Sequence, residues 1–387
     1  MRLNYLVGQG LFNFCPTLLA LLTLDAADFA HFSYAAIAFS WFISLTLSTV
    51  LEVLSPQHWE TGVSAIPGLS STVVWTAGLV AGFLMLLGHM SAGTVASAVI
   101  ASVLGAQIYT ARFVALRLAL RRVLLVGDVA GLSVGAVAFV ALRAGSVGAL
   151  QCVLVAWIAA GLTVLAIHRW LPLPASVGTS KAWIAANGRR IAALLGDSTL
   201  MDLSALGGPV AIGAVSSPAD FGAYRSFQIF VGPLNTALSA VRGIVTGLRT
   251  NRFAFLRGVL VLSLVAALAT VVVRLLLPIA SDHAAALRLL DGLEWPVALV
   301  VCGRLVSVPC YFVSRTQASA RALLGARLLD AAAGITLPLV GMVAWGLSGA
   351  VMCAALSAVI SIVIWVSAGF RAADGRTPIG GTDGSRA

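Results

Sequence analysis

Apolar residues run along this chain in stretches of about 18–25 positions, the length at which an α-helix crosses the hydrocarbon core of a bilayer. Short polar punctuation separates them. "LDAADF" stands between the first two stretches and "SSPADF" between the seventh and eighth. The pattern predicts twelve helices, at roughly 4–24, 29–53, 67–88, 93–112, 122–142, 147–167, 194–215, 221–247, 258–279, 293–314, 328–345 and 349–370. These spans and their loops use up the chain, so no soluble catalytic domain fits beside them. The expected fold class is an all-α polytopic membrane protein.

Composition sharpens this. The 387 residues are 60% hydrophobic and 10% charged, with a mean hydropathy of +1.01. Soluble domains are about 25% charged, so a soluble globule, a disordered chain and a nucleic-acid binder are all excluded. The net charge is +10, and 24 residues are basic, Lys181 being the one lysine. With the N-terminus placed in the cytoplasm, 18 of the basic residues fall on the cytoplasmic side, and only Arg143 and Arg288 fall outside. Positive residues collect on the cytoplasmic side of membrane proteins. The expectation is therefore a multi-pass protein of the cytoplasmic (inner) membrane with both termini inside. Arg225, Arg242, Arg274 and Arg304 remain inside spans. The cysteines (Cys15, Cys152, Cys302, Cys310 and Cys353) lie in apolar stretches with no CxxC or zinc spacing. They read as small hydrophobes, and no metal site is expected. No cleavable signal peptide is expected either, because the first stretch runs straight into a second span.

The longest loop, roughly 168–193, carries Pro, Gly and a basic amphipathic end. It reads as a linker between two halves, partly lying at the membrane interface. The expected organisation is an N-terminal six-helix lobe (1–168), a cytoplasmic inter-lobe linker (169–193), a C-terminal six-helix lobe (194–370) and a disordered cytoplasmic tail (371–387). An internal repeat supports two lobes. Ala27-Asp28-Phe29 aligns with Ala219-Asp220-Phe221 at an offset of 192, and Pro16 falls one residue from Pro209 at that offset. Six spans separate the copies. An even number gives both halves the same orientation, a parallel pseudo-two-fold repeat.

The candidate chemistry sits on helix faces. Arg225, Gln228, Gly232, Asn235, Ser239 and Arg242 follow one another by three or four residues, which keeps them on one face of the eighth span. An Arg near mid-bilayer costs at least about 2.5–3.5 kcal/mol on insertion scales, so this face should look at protein or a water-filled cavity. Gly232-Pro233 breaks the helix ladder in its middle. Arg304, Ser307, Tyr311 and Arg315 make a similar face in the tenth span. The seventh span adds Asp197 and Asp202, the first adds Gln9 and Asn13, and the second carries Ser40, Ser44 and Ser48. The candidate substrate-binding set is Arg225, Gln228, Asn235, Arg242, Arg304, Tyr311, Asp202, Gln9 and Asn13, with no catalytic residue. Plainer readings stand beside it. Arg225 and Arg242 are near span ends and could snorkel to headgroups. Arg304 could be a structural partner of Asp202. The serines and the run Gly127, Gly131, Gly135 read as helix-packing faces, and Asp128 as an interfacial charge.

At Phe221-Gly222-Ala223-Tyr224-Arg225-Ser226-Phe227-Gln228 and Gly232-Pro233-Leu234-Asn235 the chain resembles the polysaccharide-exporter and O-antigen-flippase branch of the multidrug/oligosaccharidyl-lipid/polysaccharide (MOP) superfamily. Gly8-Gln9-Gly10, Asn13 and Ala26-Ala27-Asp28-Phe29 are similar to that family's first hairpin. The resemblance implies two six-helix lobes in a V and export of a lipid-linked glycan. Many such flippases have fourteen spans, and this chain has two fewer.

Three functions compete. The favoured one is a flippase for a polyprenyl-diphosphate-linked oligosaccharide or similar anionic glycolipid. Arginine forks suit a diphosphate, and Asn and Gln suit sugar hydroxyls. Its expected partners are the lipid-linked glycan, membrane lipids and polysaccharide-assembly proteins, with no nucleic acid. No cofactor is expected, and a coupling ion, H⁺ or Na⁺, stays open. The alternative is a cation-coupled multidrug exporter of the same superfamily. That exporter should place a carboxylate deep in the first lobe, whereas Asp25, Asp28 and Glu52 fall near span ends. A membrane glycosyltransferase would need acidic residues in a sizeable outer loop. None of the outer loops is that large, so the chain is not read as an enzyme.

Overall fold

The computed structural model describes residues 15–53, 65–87, 90–118, 120–170, 173–228, 252–317 and 320–374, and every regular element among them is a helix. In chain order these are α1 (15–23), α2 (Ala26–Thr46) with a π-helical turn (Leu47–Leu51) at its end, α3 (Ile66–Leu87), α4 (Ala92–Arg117), α5 (Arg121–Ala144) and α6 (Ala149–Ile167). Then come α7 (Val177–Val215), α8 (Pro218–Phe227), α9 (Arg252–His283), α10 (Ala285–Arg288), α11 (Glu294–Gln317) and α12 (Ala320–Asp374). Seven of the described helices are long and apolar enough to cross a membrane. The fold is all-α and polytopic, as the hydropathy pattern predicts.

Local chemistry sets the helix starts. Asp25 caps α2 by accepting the Asp28 backbone N–H at 2.8 Å. At the offset of the sequence repeat, Ser217 caps α8. Its hydroxyl accepts the Asp220 N–H at 3.1 Å and donates to the Asp220 carboxylate at 2.7 Å. The repeated Asp-Phe pair is therefore a repeated cap: an acidic residue in the first turn, where it meets unpaired backbone N–H groups, followed by a buried aromatic. Phe29 and Phe221 are both fully buried.

The described residues form two compact units. The first comprises Met1–Leu206, Ser217–Ser226 and His283–Leu289. At its centre α4 packs on α2, α3, α5 and α6. Its buried face is made of small residues (Ala98, Ala101, Ser102, Ala106), which let backbones approach where lipid removes any hydrophobic drive between helices. The Ser102 hydroxyl lies 2.8 Å from the Ala35 carbonyl oxygen on α2. Phe32 and Phe39 close on Trp157 at 5.8 and 5.5 Å between ring centroids. At one end Val50, Leu51, Ile66, Leu69, Leu104 and Ile108 form an apolar cluster with Val164, Leu165 and Trp170. The expected small-residue face of α5 is real at Gly135, whose missing side chain leaves room for the Ala156 carbonyl and Ala160 of α6.

The second unit comprises Gly207–Ser216, Phe227–Asp282 and Leu290–Ala387. Its core is the pairing of α11 with α12. Gly346 has φ +65° and breaks α12. This is the left-handed region that glycine occupies without penalty. The break folds 320–345 back on 347–374 and brings Gly341 and Gly349 backbone to backbone. The eleventh and twelfth spans are thus separate, as the sequence predicts. α9 exposes Leu260, Leu264, Leu268 and Leu275, which suits a helix surrounded by lipid.

Two boundaries differ from expectation. The linker and the seventh span are one continuous helix, because α7 begins at Val177. The helix α12 runs to Asp374, so it includes the first residues assigned to the tail.

Candidate functional site

The eighth-span face begins in α8. Gly222 lets this helix touch the start of α2: a side chain there would strike the Ala26 carbonyl oxygen. Phe221 stacks on Tyr34 with ring centroids 5.0 Å apart. The Ser226 hydroxyl lies 2.8 Å from the Ala223 carbonyl oxygen and 3.2 Å from that of Ala286 on α10. The two hairpins that resemble each other in sequence therefore pack on each other inside the first unit. This contact positions α8 and with it Arg225; Arg225 and Gln228 are both half-buried. Asn235 and Arg242 lie outside the described residues, as do Gln9 and Asn13.

On α11 the spacing argument separates into three environments. Arg304 is exposed, Ser307 is buried and Tyr311 is half-buried. Pro309 lies within the same helix. Tyr311 meets Arg327, a residue placed in a cytoplasmic loop by hydropathy but buried on α12. The Arg327 guanidinium carbon sits 4.8 Å from the Tyr311 ring centroid, and its Nη2 donates to the Tyr311 hydroxyl. Trp365 closes the other side of Tyr311 edge-on at 4.9 Å. The Trp365 indole N–H donates to the Asp330 carboxylate at 3.0 Å. An Arg, a Tyr, a Trp and an Asp thus form one polar-aromatic cluster in the second unit. Its sequence trace is slight: Arg327 and Asp330 three apart in an apolar run.

Asp202 on α7 is half-buried. Of the serine stripe, Ser40 and Ser48 hydrogen-bond back to carbonyls one turn earlier, those of Ala36 and Ser44.

The first unit also holds a buried charge pair. Arg112, 1% exposed, donates from Nη2 to Asp128 Oδ2 at 2.7 Å. Hydropathy placed Arg112 at a cytoplasmic helix end and made Asp128 an interfacial charge. The structure pairs them across α4 and α5. His168 completes the group. It packs over Gly127, whose Cβ position is 3.1 Å from His168 Nε2. Burial, and secondarily the Arg112 charge, lower the His168 pKa, so its neutral form is favoured.

No family model matches the sequence, and no curated protein matches it. Solved structures do match. An inward-facing multidrug-resistance MATE-family transporter of the MOP superfamily is similar with a TM-score of 0.59 and 13% identity, over 95% of this chain and 96% of that one. A eukaryotic MATE transporter is similar with a TM-score of 0.54 and 12% identity, over 95% and 96%. The lipid II flippase MurJ in an inward closed conformation is similar with a TM-score of 0.53 and 10% identity, over 94% and 88%. The chain therefore shares the all-helical membrane-protein fold of these structures along nearly its whole length.

Proposed function

We propose that this protein is an alternating-access transporter of the inner membrane that flips a polyprenyl-diphosphate-linked oligosaccharide or a similar anionic glycolipid for cell-surface polysaccharide synthesis. The fold supports transport, since the similar structures are transporters and a flippase. The observation that carries the anionic cargo is the state of Arg304. It is exposed on α11, the tenth span of the sequence reading, while Arg112 and Arg327 are buried against partners. An exposed guanidinium in a span needs an anion or water, and a planar fork binds a diphosphate through paired hydrogen bonds. Arg225, carried by α8 in the first unit, is a separate candidate cation.

Flipping of a fluorescent polyprenyl-diphosphate oligosaccharide in proteoliposomes tests this reading. Arg304→Ala should abolish it, and Arg304→Lys should impair it nearly as much, because the fork is lost. Full activity in the Arg225→Ala, Arg304→Ala double variant would overturn the site. A second reading is a cation-coupled drug exporter, since MATE-family transporters are among the similar structures. It predicts efflux of a cationic dye that the same double variant leaves intact.

A further inference from the structure

The segment joining the two predicted lobes is strapped to the first unit along one side. The Trp170 indole N–H donates to the buried Gln107 amide oxygen at 2.8 Å. The Ala175 N–H lies 2.9 Å from the Gly68 carbonyl oxygen and 3.0 Å from the Thr72 hydroxyl. The Trp183 indole N–H donates to the Thr49 carbonyl at 2.9 Å, and Arg190 donates to the Glu52 carbonyl at 2.9 Å. These last two acceptors lie in and just past the π-helical turn (Leu47–Leu51), where the wider ladder departs from α-helical pairing. The strap is therefore fixed in rotation about its own axis.

That rotation leaves a second stripe outward. Val177, Lys181 and Ile184 follow by four and three residues, which puts them on one helix face. Val177 is 71% exposed, Ile184 61%, and Leu173 just before the helix 64%. Lys181, Arg189 and Arg169 are exposed around them. The chain has no carboxylate between Asp128 and Asp197, so no acid on this segment offsets these cations. The segment starts where α6, a membrane-crossing helix, ends, so it lies at headgroup depth.

We propose that residues 173–190 form a docking surface for anionic lipid headgroups, with Val177 and Ile184 dipping into the acyl boundary and Lys181, Arg189 and Arg169 on the phosphates. Long basic side chains reach up from an apolar stripe in this way. Charge complementarity selects anionic over zwitterionic lipid, and no transported cargo is involved. Arg190 is excluded from the set because it is held by the Glu52 carbonyl.

Hydrogen exchange on the full-length protein in nanodiscs tests the surface. Amide protection across 173–190 should be higher with phosphatidylglycerol present than in phosphatidylcholine alone, and high salt should erase the difference. Each basic residue near an anionic surface is worth about fivefold in partitioning. Lys181→Gln and Arg189→Gln should each lower the lipid-dependent gain by about that factor, and Lys181→Arg should retain it. Val177→Ser with Ile184→Ser should lower protection in both lipids. Equal wild-type protection in the two lipids would overturn the proposal. So would protection in neutral nanodiscs restored by soluble glycerol phosphate, which would make this a site for a free anion. Protection within α4 serves as the folding control. If a variant unfolds, the wild-type lipid and salt comparison still decides.

Discussion

Among the described residues two helix pairs bury an arginine, and they do so differently. In the first unit α4 and α5 enclose Arg112 with a carboxylate, Asp128, at 2.7 Å. In the second, α11 and α12 enclose Arg327 with an aromatic face, Tyr311, backed by Trp365. A full ion pair needs both charges desolvated and balanced, so removing either partner strands the other. A cation over a ring strands no opposite charge when the cation is removed. The first pairing is therefore a stiff structural joint, and the second tolerates change. Arg304, exposed on the same α11, belongs to neither kind.

The largest effect should come from breaking the ion pair. Arg112→Ala is expected to cost about 3–5 kcal/mol, because Asp128 stays buried without its cation. Thermal unfolding in detergent should show this as a clear loss of melting temperature. Replacing both residues by Leu should recover most of it. A double variant as unstable as the single one would show that the pair does more than cancel charge.

A smaller loss is expected at the aromatic joint. Arg327→Ala should cost about 1–2 kcal/mol, the range of a desolvated cation–π contact, and Tyr311→Phe about 0.5–1.5 kcal/mol through its hydroxyl hydrogen bond. A loss at Arg327 equal to that at Arg112 would erase the contrast. Arg304→Ala sharpens it from the other side: stability should change by no more than about 0.5 kcal/mol, while glycolipid flipping fails.

The smallest effect is a pH dependence in the first unit. The His168 pKa is lowered in the folded protein by burial and by Arg112. The unfolded chain then binds the proton more readily, and the sign follows from linkage. Stability from this group is complete above the ordinary histidine value of about 6.5 and is lost as pH falls through the folded value. Melting temperature should drop on acidification, and His168→Gln should flatten the drop.

Orientation also has a direct check. We expect a cysteine at Ala219 to be labelled from outside intact cells, and one at Thr179 only after permeabilisation. The reverse pattern would invert the map.

Much of the helix layout was legible because length and hydropathy are local quantities. The predicted span 67–88 is Ile66–Leu87, and 147–167 is Ala149–Ile167. The hairpin repeat was legible too, as a capping residue, an acid three later and an aromatic, for the same backbone reason in both halves. The site was harder. Spacing put Arg304, Ser307 and Tyr311 on one face, but burial divides that face, because Arg327 and Trp365 arrive from a different helix. Nothing near Arg112 in sequence announced Asp128, since sixteen residues and a turn between helices separate them.

The sequence alone determined that this chain is an all-helical membrane protein and where most of its helices begin and end. Bilayer thickness and backbone capping act residue by residue, and both are written in local composition. The tertiary structure decided which arginines are buried against partners, as Arg112 and Arg327 are, and which stay exposed on their helices, as Arg274 and Arg304 do. It also decided that the linker is strapped to the first unit on one side. Those outcomes depend on which helix faces meet, and helix faces meet through small residues such as Gly222 and Gly341 whose neighbours lie far away or across a turn.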